Sequence, residues 1–374
     1  MPKLIADLLN RPKIPFVYKP SNDYVMPECK VGIEIELEGV PNVRVRDRTE
    51  GRLWKIVGDG SLRNDGAEFV SEPVYGQDIN NALADFTKTL NDTHSEPVVS
   101  SRTSVHVHMD VEDMSVEQLG LFLLLVTLFE KLLYTYCGYD RYDNIFCHPI
   151  EKSISTMSII SEIVTHKEDD PILDAVSGYH KYTGCNIKPI LPDARKGDQG
   201  GHIEFRMHKG TYDTTRIKEW VNILMCLKKY SMEFEQKPEE LLQHLSMRGL
   251  DETVQDIFGE YYNTVAYADM FEHMYDNMAV VQYIFKYSAS LNSLIELYDK
   301  ECVPNPIWIE WYKRKNNKRN KGTVNKEIQA IVGRDEDETD QHNVDAPQEE
   351  THLDYRLNHQ PPPATGELRV PNGV

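Results

Sequence analysis

Glu34, Glu36 and Glu38 occupy every second position of KVGIEIELEG, alternating with Ile33, Ile35 and Leu37. Side chains of a strand point alternately to its two faces, so this spacing gathers three carboxylates on one face and three aliphatics on the other. Like charges in a row repel, and water, basic neighbours or metal ions must offset them. Two later segments share the design. In SVHVHMD, His106, His108 and Asp110 oppose Val105, Val107 and Met109; in HIEFRMH, Glu204, Arg206 and His208 oppose Ile203, Phe205 and Met207. A solvated strand face ordinarily mixes Thr, Lys, Ser and Gln. These three carry only carboxylate, imidazole and one guanidinium.

Singly, each pattern has a plain reading: E-x-E suits an exposed strand, H-x-H a surface pair, E-x-R a cross-strand ion pair. Together, in one sheet, they would form a field of hard oxygen and nitrogen donors. Positions i and i+2 lie roughly 6.5 Å apart along a strand, so neighbouring strands could bring their side chains onto one or more divalent ions. Carboxylate-rich donor sets suit Mg²⁺ or Mn²⁺, and imidazole shifts the preference toward Mn²⁺ or Zn²⁺. The absence of cysteine from these strands argues against structural zinc. An arginine beside such a site suggests phosphate chemistry, since guanidinium binds a phosphoryl group bidentately. A fourth stretch, GDGSLRNDGAEFVSEP, adds Asp59 in a Gly-flanked turn and Glu68 at the start of a strand. Asp59 is open to two readings, a turn-forming aspartate or a catalytic carboxylate.

On its own this chemistry amounts to a metal site with an arginine, which a metal-dependent phosphohydrolase or nuclease and a non-catalytic metal-containing binding protein would both fit. No G-x-x-x-x-G-K-[ST] loop, no G-x-G-x-x-G after a strand, no G-x-S-x-G elbow and no H-E-x-x-H helix is present. The Gly-rich KGDQGGHIEF turn has backbone N–H groups that could meet phosphate, though glycine also simply permits a tight turn.

The elements that position these residues are legible in outline. The 374 residues allow a large core. VGIEIELEG, LWKIVGDGS, GAEFVSEP and SVHVHMDV read as strands, with a helix at QDINNALADFTKTLND. A long apolar helix is predicted from about Val116 to Cys137, with Ser115 as N-cap and Gln118 completing a capping box. Its LGLFLLLVTLF run is too short to span a bilayer and is flanked by Glu117 and Lys131. Helical pattern resumes at Thr214. The divisions expected are an N-terminal extension (1–29), a catalytic domain (30–235), a helical C-terminal region (236–332) and a disordered tail (333–374).

A formal charge of −19 argues against nucleic acid as a partner. The tail contributes part of it, with ten Asp or Glu against three Arg from Arg334 to Val374. The basic run KRKNNKRNKG (Lys313 to Gly322) reads as a solvated turn or helix end. MPKLIADLLN lacks the apolar core of a secretory signal, and the six cysteines (Cys29, Cys137, Cys147, Cys185, Cys226, Cys302) have no disulfide-like or C-x-x-C spacing. A reduced cytoplasmic protein without a membrane partner is expected.

VGIEIELE, WKIVGDGSL, GAEFVSEPV, VHVHMD and IEFRMHKGTYD followed by IKEWV resemble, in that order, the motifs of the amidoligase family. That family belongs to the glutamine synthetase-like carboxylate–amine ligases and is often phage-encoded, which would place the chain in a host cytoplasm. The likeness runs over roughly residues 30 to 225. It implies an α+β fold: an antiparallel sheet of glutamine synthetase-like catalytic type, helices on its apolar face, and a further helical part behind. It also implies ATP and Mg²⁺ (or Mn²⁺), with small-molecule or peptide carboxylate and amine substrates. On this resemblance Glu34, Glu36, Glu68 and His106 are metal ligands, and Glu204 completes a second site. Arg206 would stabilise the transferring phosphoryl group, and His108 would contact ATP or substrate. The chain departs from the family where Thr103-Ser104 replaces a Cys-Gly-like pair, and HKYTGCNIKPI matches only loosely, leaving Lys181 and Asn186 as substrate candidates. The general base and the oligomeric state are not legible.

Overall fold

The apolar half of each alternating segment dictates the architecture, because those residues must find a partner layer. The computed structural model describes residues 3–11, 23–41, 52–165, 172–194 and 197–286, all within one compact unit. The basic run, Cys302 and the predicted tail lie outside the described residues.

Seven antiparallel strands form one sheet: β1 (Lys30–Leu37), β2 (Trp54–Val57), β3 (Ala67–Ser71), β4 (Val74–Tyr75), β5 (Ser104–Asp110), β6 (Cys185–Asn186) and β7 (His202–Lys209). The order is β2-β3-β1-β5-β7-β6, with β4 also paired to β1. Thus the three segments singled out above, β1, β5 and β7, are consecutive neighbours at its centre. Their inner residues Ile33, Ile35, Leu37, Val105, Val107, Met109, Ile203 and Phe205 are at most 1% exposed, so one sheet face is sealed.

Ten helices are described: α1 (Ile5–Leu8), α2 (Ile79–Asn91), α3 (Val116–Cys137), α4 (Ile154–Val164), α5 (Ile172–Ser177), α6 (Thr214–Glu233), α7 (Leu241–Arg248), α8 (Leu250–Phe258), α9 (Tyr262–Val265) and α10 (Met270–Lys286). Helices α2, α3 and α6 seal the sheet. Phe86 of α2 packs edge-on to Phe69, and Phe122 of α3 and Trp220 of α6 each meet Phe205 edge-on. Helix α3 begins as predicted: Ser115 Oγ accepts from Gln118 N at 3.2 Å, and Gln118 Oε1 accepts from Ser115 N at 2.8 Å. Apolar on nearly every side, it is enclosed by the sheet, α4, α6 and α10. Among the described residues no helix is long and apolar enough to cross a membrane, and Cys29, Cys137, Cys147, Cys185 and Cys226 are buried free thiols.

One expectation fails on β7. Val107 pairs with Phe205 but Val105 pairs with His208, so Arg206 and Met207 together oppose His106. This β-bulge breaks the alternation. His208 turns away from Glu204 and Arg206 to lie 1% exposed against Tyr136 and Trp220 of the helical layer. Burial pushes its imidazole down to about 4, so it is a neutral core residue there.

Where β7 ends, Gly210 N donates to Thr103 O at 2.9 Å, and a Cβ at position 210 would fall 2.1 Å from Thr103 Oγ1. Overpacking of this kind costs roughly 1–3 kcal/mol. Gly210→Ala should therefore lower the melting temperature by several degrees in thermal unfolding. Thr103→Gly in the same chain should return part of that loss.

Candidate active site

Register brings the polar residues together. Glu36 lies opposite Glu68 across β1–β3, Glu34 opposite His106 across β1–β5, and His108 opposite Glu204 across β5–β7. Glu34, Glu36, Glu68, His106, His108 and Glu204 therefore converge on the open face of the sheet. Glu36, His106 and Glu204 are 5%, 3% and 6% exposed. Glu34, Glu68, His108 and Arg206 are partly open to solvent and form the accessible surface of the cluster.

Two groups of three could each hold a cation: Glu34, Glu68 and His106, and Glu34, His108 and Glu204. Glu34 belongs to both. His106 Nδ1 lies 3.1 Å from Glu34 Oε2 and 3.5 Å from Glu204 Oε1, and His108 Nε2 lies 3.2 Å from Glu34 Oε1. His108, expected at ATP or substrate, thus stands among the potential ligands. Glu36 sits beside the first group: it accepts a hydrogen bond from Ser104 Oγ, and its Oε1 is 3.9 Å from His106 Nε2.

Glu204 is held on both oxygens, by Arg206 Nη1 on one and by Asn186 Nδ2 at 2.7 Å on the other. Arg206 is fixed in turn by its Nε, which donates to Phe146 O at 3.0 Å. Among the described residues no partner takes its Nη2 protons. Asn186 thereby orients a cluster carboxylate, while Lys181 places its ammonium 4.7 Å over the Tyr182 ring.

Asp59 borders the cluster but is committed locally. Its Oδ1 accepts from Ser61 N at 2.6 Å, an Asx-type turn. Glu38, on the same face as Glu34 and Glu36, also leaves the cluster, accepting from Arg63 N at 2.8 Å.

The charges are unequally balanced. For Glu204, burial acts to raise the carboxyl, but Arg206, His108 and His106 outweigh it and bring it down to about 2. Burial likewise opposes ionisation of Glu34, yet both histidines hold it well below the usual range. Glu68 goes the other way: burial and then the carboxylates of Glu34, Glu36 and Asp59 push it up to about 9. His108 is raised, because Glu34 more than offsets the effect of burial.

Two side chains, Ser104 and His202, and one contact, that of Asn186, escaped the sequence reading. Ser104 and His202 open the segments SVHVHMD and HIEFRMH and share faces with His106 and Glu204, so counting the alternation back one step within each segment would have found them. His202 lies 5.0 Å from His108 between ring centroids. The contact of Asn186, a substrate candidate from the sequence, with Glu204 is made through β6, a two-residue strand too short to carry a periodic signal.

The donor set fits Mg²⁺ or Mn²⁺: carboxylate oxygens with one imidazole per group, and an acid crowding that a divalent cation would relieve. A cation must displace the Glu68 proton. Below about 9 that displacement becomes easier as pH rises, so apparent Mn²⁺ affinity should increase between pH about 6 and about 9. Calorimetric titration should show the increase in the native chain, and Glu68→Gln should bind more weakly with a flatter pH profile.

No curated protein matches the chain. The family model described as "putative amidoligase enzyme" matches residues 27–227, a span that holds the whole sheet and every cluster residue named above. Covering more than half the chain, that match shows that this protein belongs to the amidoligase family.

Proposed function

We propose that the chain is an ATP-dependent carboxylate–amine ligase that forms an amide bond through an acyl phosphate. The observation that carries the reading is the pair of donor groups sharing Glu34, with Arg206 fixed at their edge. Glu34, Glu68 and His106 would hold one divalent cation, with Glu36 adding charge beside it, and Glu34, His108 and Glu204 another. Bound there, the cations would neutralise phosphate oxygens and favour phosphoryl transfer.

The chain's own residues then have separable parts. Glu204 and Phe146 O hold the guanidinium of Arg206 in one orientation, so its remaining N–H groups are preorganised for the charge on a transferring phosphoryl group. Asn186 keeps Glu204 in place. Asp59 acts through its charge, which adds to Glu34 and Glu36 in disfavouring ionisation of Glu68 until a cation enters.

In the reaction proposed, a substrate carboxylate oxygen attacks the γ-phosphorus and the bond to ADP breaks. The amine then attacks the acyl carbon, loses a proton, and inorganic phosphate leaves. ADP forms in the first step with the carboxylate alone, but the acyl phosphate is consumed only when an amine attacks it, so repeated turnover with release of both ADP and phosphate depends on carboxylate and amine together.

Incubation of the purified chain with Mg²⁺-ATP and pooled carboxylates and amines tests this. ADP and phosphate should appear efficiently only with both pools present, accompanied by a condensed product in the mass spectrum. Hydrolysis of phosphoesters without nucleotide would instead establish a phosphohydrolase. Arg206→Lys keeps the charge but loses the planar fork. It should lower kcat on the order of 10²-fold, with the melting temperature shifted by no more than a few degrees.

A further inference from the structure

We propose that Ser104 is a positioning residue whose hydrogen-bond chain from His106 to Glu36 fixes the imidazole tautomer that turns the Nδ1 lone pair toward Glu34 and Glu204. The inference rests on the cation-binding reading of the site above, and goes beyond it in saying how one ligand is prepared.

Ser104 opens β5 and is 3% exposed, on the same face as His106. Its Oγ touches two acceptor-capable groups, Glu36 Oε2 and, at 2.8 Å, His106 Nε2. A hydroxyl has one proton, and Ser104 Oγ donates it to Glu36 Oε2. The contact with His106 must then be closed by a proton on Nε2. In the neutral ring that leaves Nδ1 bare.

Nδ1 faces Glu34 Oε2 at 3.1 Å and Glu204 Oε1 at 3.5 Å. A lone pair pointed at two carboxylate oxygens is tolerable only with a positive centre among them. That centre is a second proton on the ring or a cation bound by Nδ1. The opposite tautomer would put a lone pair on Nε2 against the Ser104 oxygen, whose proton is already committed. Ser104 thus makes Nδ1 the ligand atom, and anchors Glu36 with the same hydroxyl. Metal-site histidines generally depend on such a partner at the other nitrogen, and its loss weakens metal affinity about 10–100-fold.

The test uses the full chain with Mn²⁺ alone as probe, free Mn²⁺ being followed by electron paramagnetic resonance. Ser104→Ala should weaken Mn²⁺ binding about 10–100-fold, and Ser104→Thr, which restores the hydroxyl, should return it to within a few fold. In ¹⁵N-histidine-labelled protein loaded with Mg²⁺, the His106 ring should show the Nε2–H tautomer, with His106→Gln giving the assignment. This spectral readout separates the proposal from a merely structural role, and it stands even if Ser104→Ala fails to fold. Unchanged Mn²⁺ affinity in Ser104→Ala, or an Nδ1–H ring in the Mg²⁺-loaded native chain, would overturn the role of Ser104 while leaving the cation site intact. A native chain that takes up no Mn²⁺ would overturn the site reading, and this inference with it.

Discussion

Glu34 and Glu36 on one strand, Glu68 on its neighbour and Glu204 two strands away crowd acids onto the open face of one sheet. Two carboxylates about 4 Å apart repel by about 4 kcal/mol at an effective dielectric near 20, against roughly 5–15 kcal/mol for the stability of a whole domain. Such a face persists only if compensation is built in. His106, His108 and Arg206 supply it, but on one side. They bring Glu204 to about 2, whereas the charges that weigh most on Glu68 are other acids, which leave it near 9. The uncompensated acid crowding is therefore local, at the β1–β3 edge of the cluster, where Glu68 keeps a proton below about 9, and a divalent ion is the simplest group that would take that proton's place.

Holding that arrangement requires a support that does not yield. The reverse face of the same strands is sealed by Phe86, Phe122 and Trp220, and α3 is enclosed on nearly every side. Close packing makes the interior stiff, so the strands cannot splay to relieve repulsion on the open face. Strands place side chains more accurately than loops do. Every residue of the two donor groups sits on β1, β3, β5 or β7.

Much of this was legible because period-two alternation and helix capping are local signals. The β1, β5 and β7 faces, the span of α3 and its Ser115–Gln118 cap follow from residues within a few positions of one another. The α+β class follows from those elements. What alternation could not reveal is the point where it stops. His208 continues the E-x-R-x-H pattern perfectly, yet the bulge opposite His106 sends it into the core beside Trp220. That bulge depends on pairing with a strand a hundred residues earlier, so no local window contains it. Asn186 was hidden for a similar reason: its role arises from β6 meeting β7, not from its neighbours in sequence.

The Thr103-Ser104 pair shows how fold and chemistry are joined at one point. Thr103 is wholly buried, tied through its Oγ1 to Ser100 and pressed against Gly210, which fixes where β5 begins. A slip of one residue in an antiparallel pair would exchange the two faces of the strand. Here it would send His106 and His108 into the core and bring Val105 and Val107 to the acids. The next residue, Ser104, already belongs to the open face and bonds both Glu36 and His106. Two adjacent side chains thus do consecutive work, the first setting the register and the second using it. The acid and imidazole cluster therefore rests on this pair, because the position of every donor on β5 is counted from it.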